Sequence, residues 1–387
     1  LSCWEQNNHN VRKSDFEAPT IDEKVLPKEH FSVKKEKTNQ PPFAILRGGY
    51  KYKETLGMRR VTTYCMDMVE TKEVLYVLIR ADGSGGNIRR INWKDEDLDV
   101  FGNFKWPVQM IQDSNGKFYV TDEGEHCVHA LVDDGEKGYV AIGQTAEVQE
   151  SSTKTTKIGE FGSGDGQLDS PSGIAFDSNE NLLVVDTGNN RVQKFEKNGK
   201  FIETIISGTG EEGLNMPWGI VVNHNNDILV SDWRNNRINV YDKNGKYLKS
   251  FGDIPKSLGE DHIQLSGPAG ITIDDDGDIY VADRNNNRIV IYDREGKYVT
   301  QFTGDATLSK MGKTYIMSSP RVLRLREMSN REAWRKLRAP ASVRTYGNLI
   351  YIPDFGCHRI QVYEKESYPL TKDEIFEQPN HPTLYNV

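Results

Sequence analysis

Five Asp residues, Asp122, Asp186, Asp232, Asp283 and Asp354, recur before a polar turn, and in four cases an Arg follows five positions on: Arg191, Arg237, Arg288 and Arg359. Carboxylates and guanidiniums in fixed register could serve an ionic active site. A pair that returns in copy after copy is better read as a structural lock, because Asp caps turns and Arg forks onto a carbonyl or carboxylate. Departures from the pattern carry more chemical information. In one copy Cys127 takes the Arg slot, with Glu125 and His126 in the Asn slots; in another Cys357 and His358 replace the two Asn. Thiol and imidazole ligate zinc, but these two pairs fall in copies separated by a degenerate one, so no metal site is assigned to them. Asp274, Asp276 and Asp278 in DDDGD echo a calcium loop but lack its closing Glu, so they read as a plain turn. Trp106, Trp218 and Trp233 each adjoin a repeat Pro or Asp, where a flat ring offers a platform for a ligand or peptide. With Arg234, Arg284, Arg331 and Arg335 they form the expected ligand- or partner-binding set, and the catalytic residues are left unassigned. GxSxG, HExxH and CxxC do not occur.

These residues are positioned by a repeating unit, clearest from Leu168 to Phe201. Pro107 to Asp122, Pro171 to Asp186, Pro217 to Asp232 and Pro268 to Asp283 are each fifteen residues, and Pro340 to Asp354 is fourteen. Between copies the Pro spacing varies from 46 to 72, so a constant unit is joined by variable connectors. Four short apolar runs per unit predict propeller blades, which bury both faces only when stacked. The fourth strands are expected at LDVFG (98–102), GYVAIG (138–143), KFIETII (200–206), KYLKSFG (246–252), KYVTQFTG (297–304) and YKYKETLG (50–57). The last of these precedes the first blade, while the final blade lacks an outer strand of its own. The N-terminal strand is therefore expected to close the ring and remove its open edge. The first blade, Val61 to Gly102, lacks the Pro and the Asn-x-Arg, and its Gly-rich DGSGGN reads as a turn rather than a phosphate cradle.

The run FGSGDGQLDSPSGIAFD, Phe161 to Asp177, followed by VVDTGNNRVQKFEKNGKF, resembles an NHL repeat almost position by position, and the likeness extends over roughly two thirds of the chain. That resemblance implies an all-β, six-bladed β-propeller of four antiparallel strands per blade. It makes His before the Arg slot an ordinary occupant. Some similar proteins, the peptidyl-hydroxyglycine amidating lyases, bind zinc through His residues near the blade-opening Pro. Here the Pro-flanking residues are Val108, Ser172, Trp218, Ala269 and Ala341, so that lyase activity is not expected.

The expected organisation is an N-terminal arm (1–47), the propeller (48–366) and a C-terminal tail (367–387). A net charge of -8 argues against nucleic-acid binding, which needs excess Lys and Arg. No apolar run reaches membrane-spanning length. Four dispersed cysteines leave the redox compartment open, and a chain starting at Leu1 without an apolar leader leans towards export.

In a four-stranded blade, the connector into the first strand and the loop between the second and third lie at one end. The connectors 144–170, 207–216, 253–267 and 305–339 therefore share a face, and binding is expected there. Residues 321–338 hold seven basic residues and two acids, a local +5 that leaves -13 on the remainder. A helix is expected from Asn330 to Arg338. The reading is a binding or scaffold propeller that engages a protein partner, itself or a small ligand through this face. The alternative is a propeller-type lyase or hydrolase at the channel mouth, with a divalent metal in the central channel left open.

Overall fold

The structure, a computed structural model, describes residues 44–57, 61–81, 85–132, 156–208, 210, 212–252, 263–328 and 330–370. Strand β1 (Ala44–Leu56) comes first. It is followed by a blade of β2 (Cys65–Glu70), β3 (Val74–Ala81), β4 (Gly85–Asn92) and β5 (Asp97–Phe104). The second blade is β6 (Pro107–Gln112), β7 (Lys117–Asp122), β8 (Cys127–Val132) and β9 (Thr156–Ile158). The third is β10 (Pro171–Phe176), β11 (Leu182–Asp186), β12 (Arg191–Phe195) and β13 (Phe201–Ile206). The fourth is β14 (Ile220–Val222), β15 (Ile228–Asp232), β16 (Arg237–Tyr241) and β17 (Tyr247–Phe251). The fifth is β18 (Pro268–Ile273), β19 (Ile279–Asp283), β20 (Arg288–Tyr292) and β21 (Tyr298–Phe302). Three short helices, α1 (Lys310–Met317), α2 (Pro320–Glu327) and α3 (Arg331–Arg335), precede the sixth blade of β22 (Arg344–Tyr346), β23 (Leu349–Asp354) and β24 (Arg359–Leu370).

Each sheet is a four-stranded antiparallel meander, and β1 supplies the outer strand of the sixth. It pairs with β24 from Ala44 opposite Leu370 to Leu56 opposite Ile360, a register that spans almost the whole chain. The innermost strands touch in the order β2, β6, β10, β14, β18, β22 and back to β2, and the hydrogen bonds that close the ring are those of β1 to β24. The fifteen-residue offset is a hairpin register: Pro107, Pro171 and Pro268 lie opposite Asp122, Asp186 and Asp283.

Adjacent sheets bury one another's faces. Leu183, Val185 and Val192 of the third blade pack with Ile220, Val230 and Tyr241 of the fourth, and each such side chain contributes about 1.5–3 kcal/mol of hydrophobic stabilisation. At the ring's centre the carboxylate of Asp67 takes the buried Arg344 guanidinium, the Ser342 hydroxyl and the Met110 N–H, tying three blades together. The far face carries tight Asx turns. Asp113 Oδ1 accepts from the N–H of Asn115 and of Lys117, and Asp177, Asn223, Asp274, Asp242 and Asp293 repeat the arrangement.

The DDDGD turn has a further role. Its carboxylates enclose the ammonium of Lys365 on β24, at 2.5 Å from Asp274, 2.9 Å from Asp276 and 2.9 Å from Asp278. Arg47 on β1 pairs with Asp278 from the other side. The fifth and sixth blades are thereby joined ionically beside the ring closure.

Two expectations are corrected. The strand that pairs with β8 is Thr156–Ile158, whereas GYVAIG (138–143) falls outside the described residues, so the connector into the third blade begins after Ile158. The basic connector forms three helices rather than one. Asn330 caps α3, its side chain accepting from Glu332 and Ala333 N–H. The helix stops at Arg335 because the next backbone groups are claimed by the ring: Leu337 N–H donates to Thr303 and Arg359 takes the Trp334 and Lys336 carbonyls. The rest of the arm, the tail beyond 370 and the outer part of connector 253–267 lie outside the described residues. No helix among the described residues is long and apolar enough to cross a membrane.

Candidate binding face

The recurrent Asp and Arg lie beneath the long connectors and face one another. Arg191, Arg237, Arg288 and Arg359 each place Nε beside the Asp of their own blade, at 2.7, 2.9, 2.6 and 2.8 Å from Asp186, Asp232, Asp283 and Asp354. The outer prongs of the guanidiniums hold connector carbonyls, among them Gly164 and Gln167, Gly213, and Gln264. The other carboxylate oxygen of each Asp accepts a connector N–H, from Asp169, Asn215, Ser266 and Arg338 in turn. The fold thus fastens each variable connector with charge-assisted hydrogen bonds.

The residue after each Asp varies: Glu123, Thr187, Trp233, Arg284 and Phe355. These positions ring the channel mouth together with Arg80 of the first blade. Trp218 and Trp233 meet edge-to-face at 5.4 Å between ring centroids. The Arg284 guanidinium lies 5.9 Å from the Trp218 ring centroid and 4.6 Å from that of Phe355. Its Nη1 is shielded from solvent without a hydrogen-bond partner, and among the described residues it has no ion pair. Burial, then the nearby charge of Arg80, lowers its pKa. Across the mouth Arg80 pairs with Glu123 at 3.1 Å and sits 5.6 Å from the exposed Trp106 ring. Arg234 is exposed on the turn that carries Trp233. The sequence set therefore joins at Trp218, Trp233 and Arg284, with Trp106 opposite. Phe355, in the slot after Asp354, and Arg80, from the blade that lacks the motif, are additions to it.

From Phe355 the surface passes into a second feature. Tyr64 packs on both Phe355 and His358, at 5.0 and 4.5 Å, and beyond them the helical connector overhangs the sixth blade. The cleft between encloses about 750 Å³ and is lined by Ile316, Val322, Leu325 and Trp334 above and by Cys357 and His358 below. Leu325 and Trp334 remain 61% and 60% exposed. Arg335 also lines it, 3.4 Å from Glu332; the side chain of Arg331 lies outside the described residues.

The two Cys-His pairs do not converge. His126 Nδ1 accepts the Ser170 N–H at 3.0 Å, and His358 Nδ1 accepts that of Tyr64 at 3.0 Å. Burial, then Asp354, pushes the Cys357 thiol up to about 11. Ser170, His126 and Asp169 are neighbours, but the Ser170 hydroxyl donates to Asp169 at 3.0 Å and only its backbone reaches the imidazole. That geometry lacks the nucleophile-to-base hydrogen bond of acyl transfer.

The NHL repeat family model matches residues 168–195, 214–241 and 265–292, the clearest parts of the third, fourth and fifth blades. Protein brain tumor of Drosophila melanogaster is 32% identical over 146 residues, 38% of this chain and 14% of that protein. The B-box type zinc finger protein ncl-1 of Caenorhabditis elegans is 47% identical over 45 residues, 12% of this chain and 5% of that protein. The chain thus spans only a small part of the length of the curated relatives it matches. Among solved structures, a protein of unknown function from Bacteroides thetaiotaomicron has a TM-score of 0.54 at 16% identity, covering 85% of this chain and 73% of that one; the likeness is one of fold. Three matched repeats set in a closed ring of six four-stranded blades make this chain an NHL-repeat β-propeller.

Proposed function

We propose that this propeller is a binding module that captures an acidic, partly apolar segment of a partner protein across the channel mouth and the adjoining cleft. The observation that carries the reading is Arg284, a guanidinium held between Trp218 and Phe355 with no carboxylate opposite it among the described residues. Stacking on rings compensates a desolvated guanidinium by up to about 2 kcal/mol, and its remaining donors fit an incoming carboxylate. The cleft supplies the apolar complement, and the +5 of residues 321–338 steers an acidic chain to this side of a molecule otherwise negative. Turnover is less well supported, because the ionisable groups at the mouth are an ion pair and a stacked cation rather than a nucleophile with its base.

Selection of peptides from a random library on the purified chain tests this directly. Enrichment of sequences that combine Asp or Glu with bulky apolar residues is expected. Binding of the best peptide should fall about 10- to 100-fold in Arg284→Ala, the equivalent of a charged hydrogen bond of about 1.5–3 kcal/mol, and should also fall in Leu325→Glu. Selected peptides without acidic preference, or equal affinity for Arg284→Ala, would overturn the proposal.

A further inference from the structure

In the third to sixth blades the Asp that ends the second strand always has a cation beside it, the guanidinium described above. The second blade lacks that Arg. Its connector from the first blade is only Lys105–Trp106, whose N–H groups reach Asp122 directly at 2.7 and 2.8 Å, so a guanidinium would have no long loop to fasten. The slot is lined instead by a thiol, an imidazole and a carboxylate. Cys127 and His129 are two apart on β8 and so share a face; Glu125 comes from the preceding turn.

One ligand atom from each of these three side chains lies within 4.8 Å of the others. His129 Nε2 is 3.6 Å from Cys127 Sγ and 3.2 Å from a Glu125 oxygen. A tetrahedral zinc ion, with sulfur at about 2.3 Å and nitrogen or oxygen at about 2.0–2.1 Å, requires edges of about 3.6 Å between sulfur and nitrogen and about 3.3 Å between nitrogen and oxygen. The spacing matches both. Cys127 and His129 are buried, which fixes their positions. Glu125 Oε2 is shielded from solvent and makes no well-directed hydrogen bond, although Lys157 Nζ, on an exposed side chain, stands 2.6 Å away.

We propose that Glu125, Cys127 and His129 form a three-ligand site for a zinc-type divalent cation, beside the buried Asp122, whose Oδ2 stands 3.4 Å from His129 Nε2. Thiolate with imidazole selects zinc over calcium or magnesium. Binding breaks the Cys127 S–H bond, releases that proton to solvent and forms the metal–sulfur bond. The cation takes the place that the guanidinium holds in the neighbouring blades, and Lys157 is displaced into water.

The test uses the full chain, stripped with a chelator and titrated with cobalt(II) and then zinc. Expected are a thiolate-to-cobalt charge-transfer band saturating at one equivalent, its loss on adding zinc, and its absence in Cys127→Ser but not in Cys357→Ser. Should Cys127→Ser fail to fold, the exposed variant Lys157→Ala keeps the question open to measurement: removing a competing surface ion pair should tighten zinc about twofold to fivefold. Absence of the band from the unmodified chain, persistence of the same band in a folded Cys127→Ser, or unchanged zinc affinity in Lys157→Ala would overturn the proposal.

Discussion

Replacing Lys365 with Met should destabilise this ring more than any other single loss of a lysine among the described residues. The ammonium is 3% exposed and touches three carboxylates that are almost equally hidden. At an effective dielectric constant near 20, each contact is worth about 6 kcal/mol in Coulomb energy. Desolvation of the ammonium and repulsion among the acids offset most of that sum. Burial lowers the pKa of Lys365, yet the charges of Asp274 and Asp278 outweigh it and hold the group above the ordinary lysine value, so the net interaction is favourable. Removing one partner of a buried cluster strands the others, at about 3–5 kcal/mol. Given an unfolding entropy of roughly 2.1 cal/mol/K per residue, each kcal/mol moves the melting temperature of a chain this long by about 1.2 °C, so a fall of about 4–6 °C is expected at neutral pH.

The deficit should shrink in acid. Asp274 already has its pKa raised, by burial first, with Lys365 opposing; without the ammonium it rises further. A carboxylate whose folded pKa exceeds its unfolded value, about 3.9, binds protons preferentially in the native state, so the variant regains stability as pH falls through that window. Melting curves by circular dichroism at neutral and at mildly acidic pH, with the exposed Lys246→Met as control, decide the matter. A variant that melts within a degree of the parent, or whose deficit does not narrow in acid, would refute the reasoning.

Ring closure predicts that deleting residues 1–57 lowers the melting temperature far more than deleting 1–43, because only the longer deletion removes β1 from β24; similar values for the two truncations would contradict it. Gly245→Ala would set a Cβ 1.8 Å from the Ile205 carbonyl oxygen at a φ of 80°, while Gly347→Ala, at a φ of 58°, meets nothing within 4 Å. The first should therefore unfold or severely destabilise the chain, and the second should cost only about 1 kcal/mol of backbone strain, as read by urea denaturation.

The fold was legible because its repeat is a register: in three blades a Pro that opens one strand faces the Asp that ends the next, and a one-residue slip in such a pairing would turn every side chain to the wrong face. The borrowed strand was legible as two matching vacancies. The outer strand of the second blade was not, since Thr156–Ile158 has three residues and no alternating run to compare with GYVAIG. Helices α1 and α2 were hidden by Gly312 and by the charged run of 321–327. Trp233 and Arg284 stood out as large residues in a slot that varies between blades, whereas Phe355 looked like an ordinary core residue and Arg80 belongs to a blade without the motif. His129 carried no signal, being a single His in an otherwise regular strand. Cys127 and Glu125 stood out as departures from the repeat, but their grouping with His129 shows only when the i, i+2 geometry of β8 and the returning turn bring three side chains together.

The pairing of β1 with β24 also imposes an order of events during synthesis. The first strand of the ring to be synthesised is the last to find its place, because its partner lies more than three hundred residues downstream. Until residues 359–370 emerge, β1 presents unpaired N–H and C=O groups, the kind of edge that chaperones and other strands seek. A chain truncated anywhere before that point keeps the exposed edge permanently. Completion of the ring is thus reported by its first strand, and a copy lacking residues 359–370 keeps an open edge.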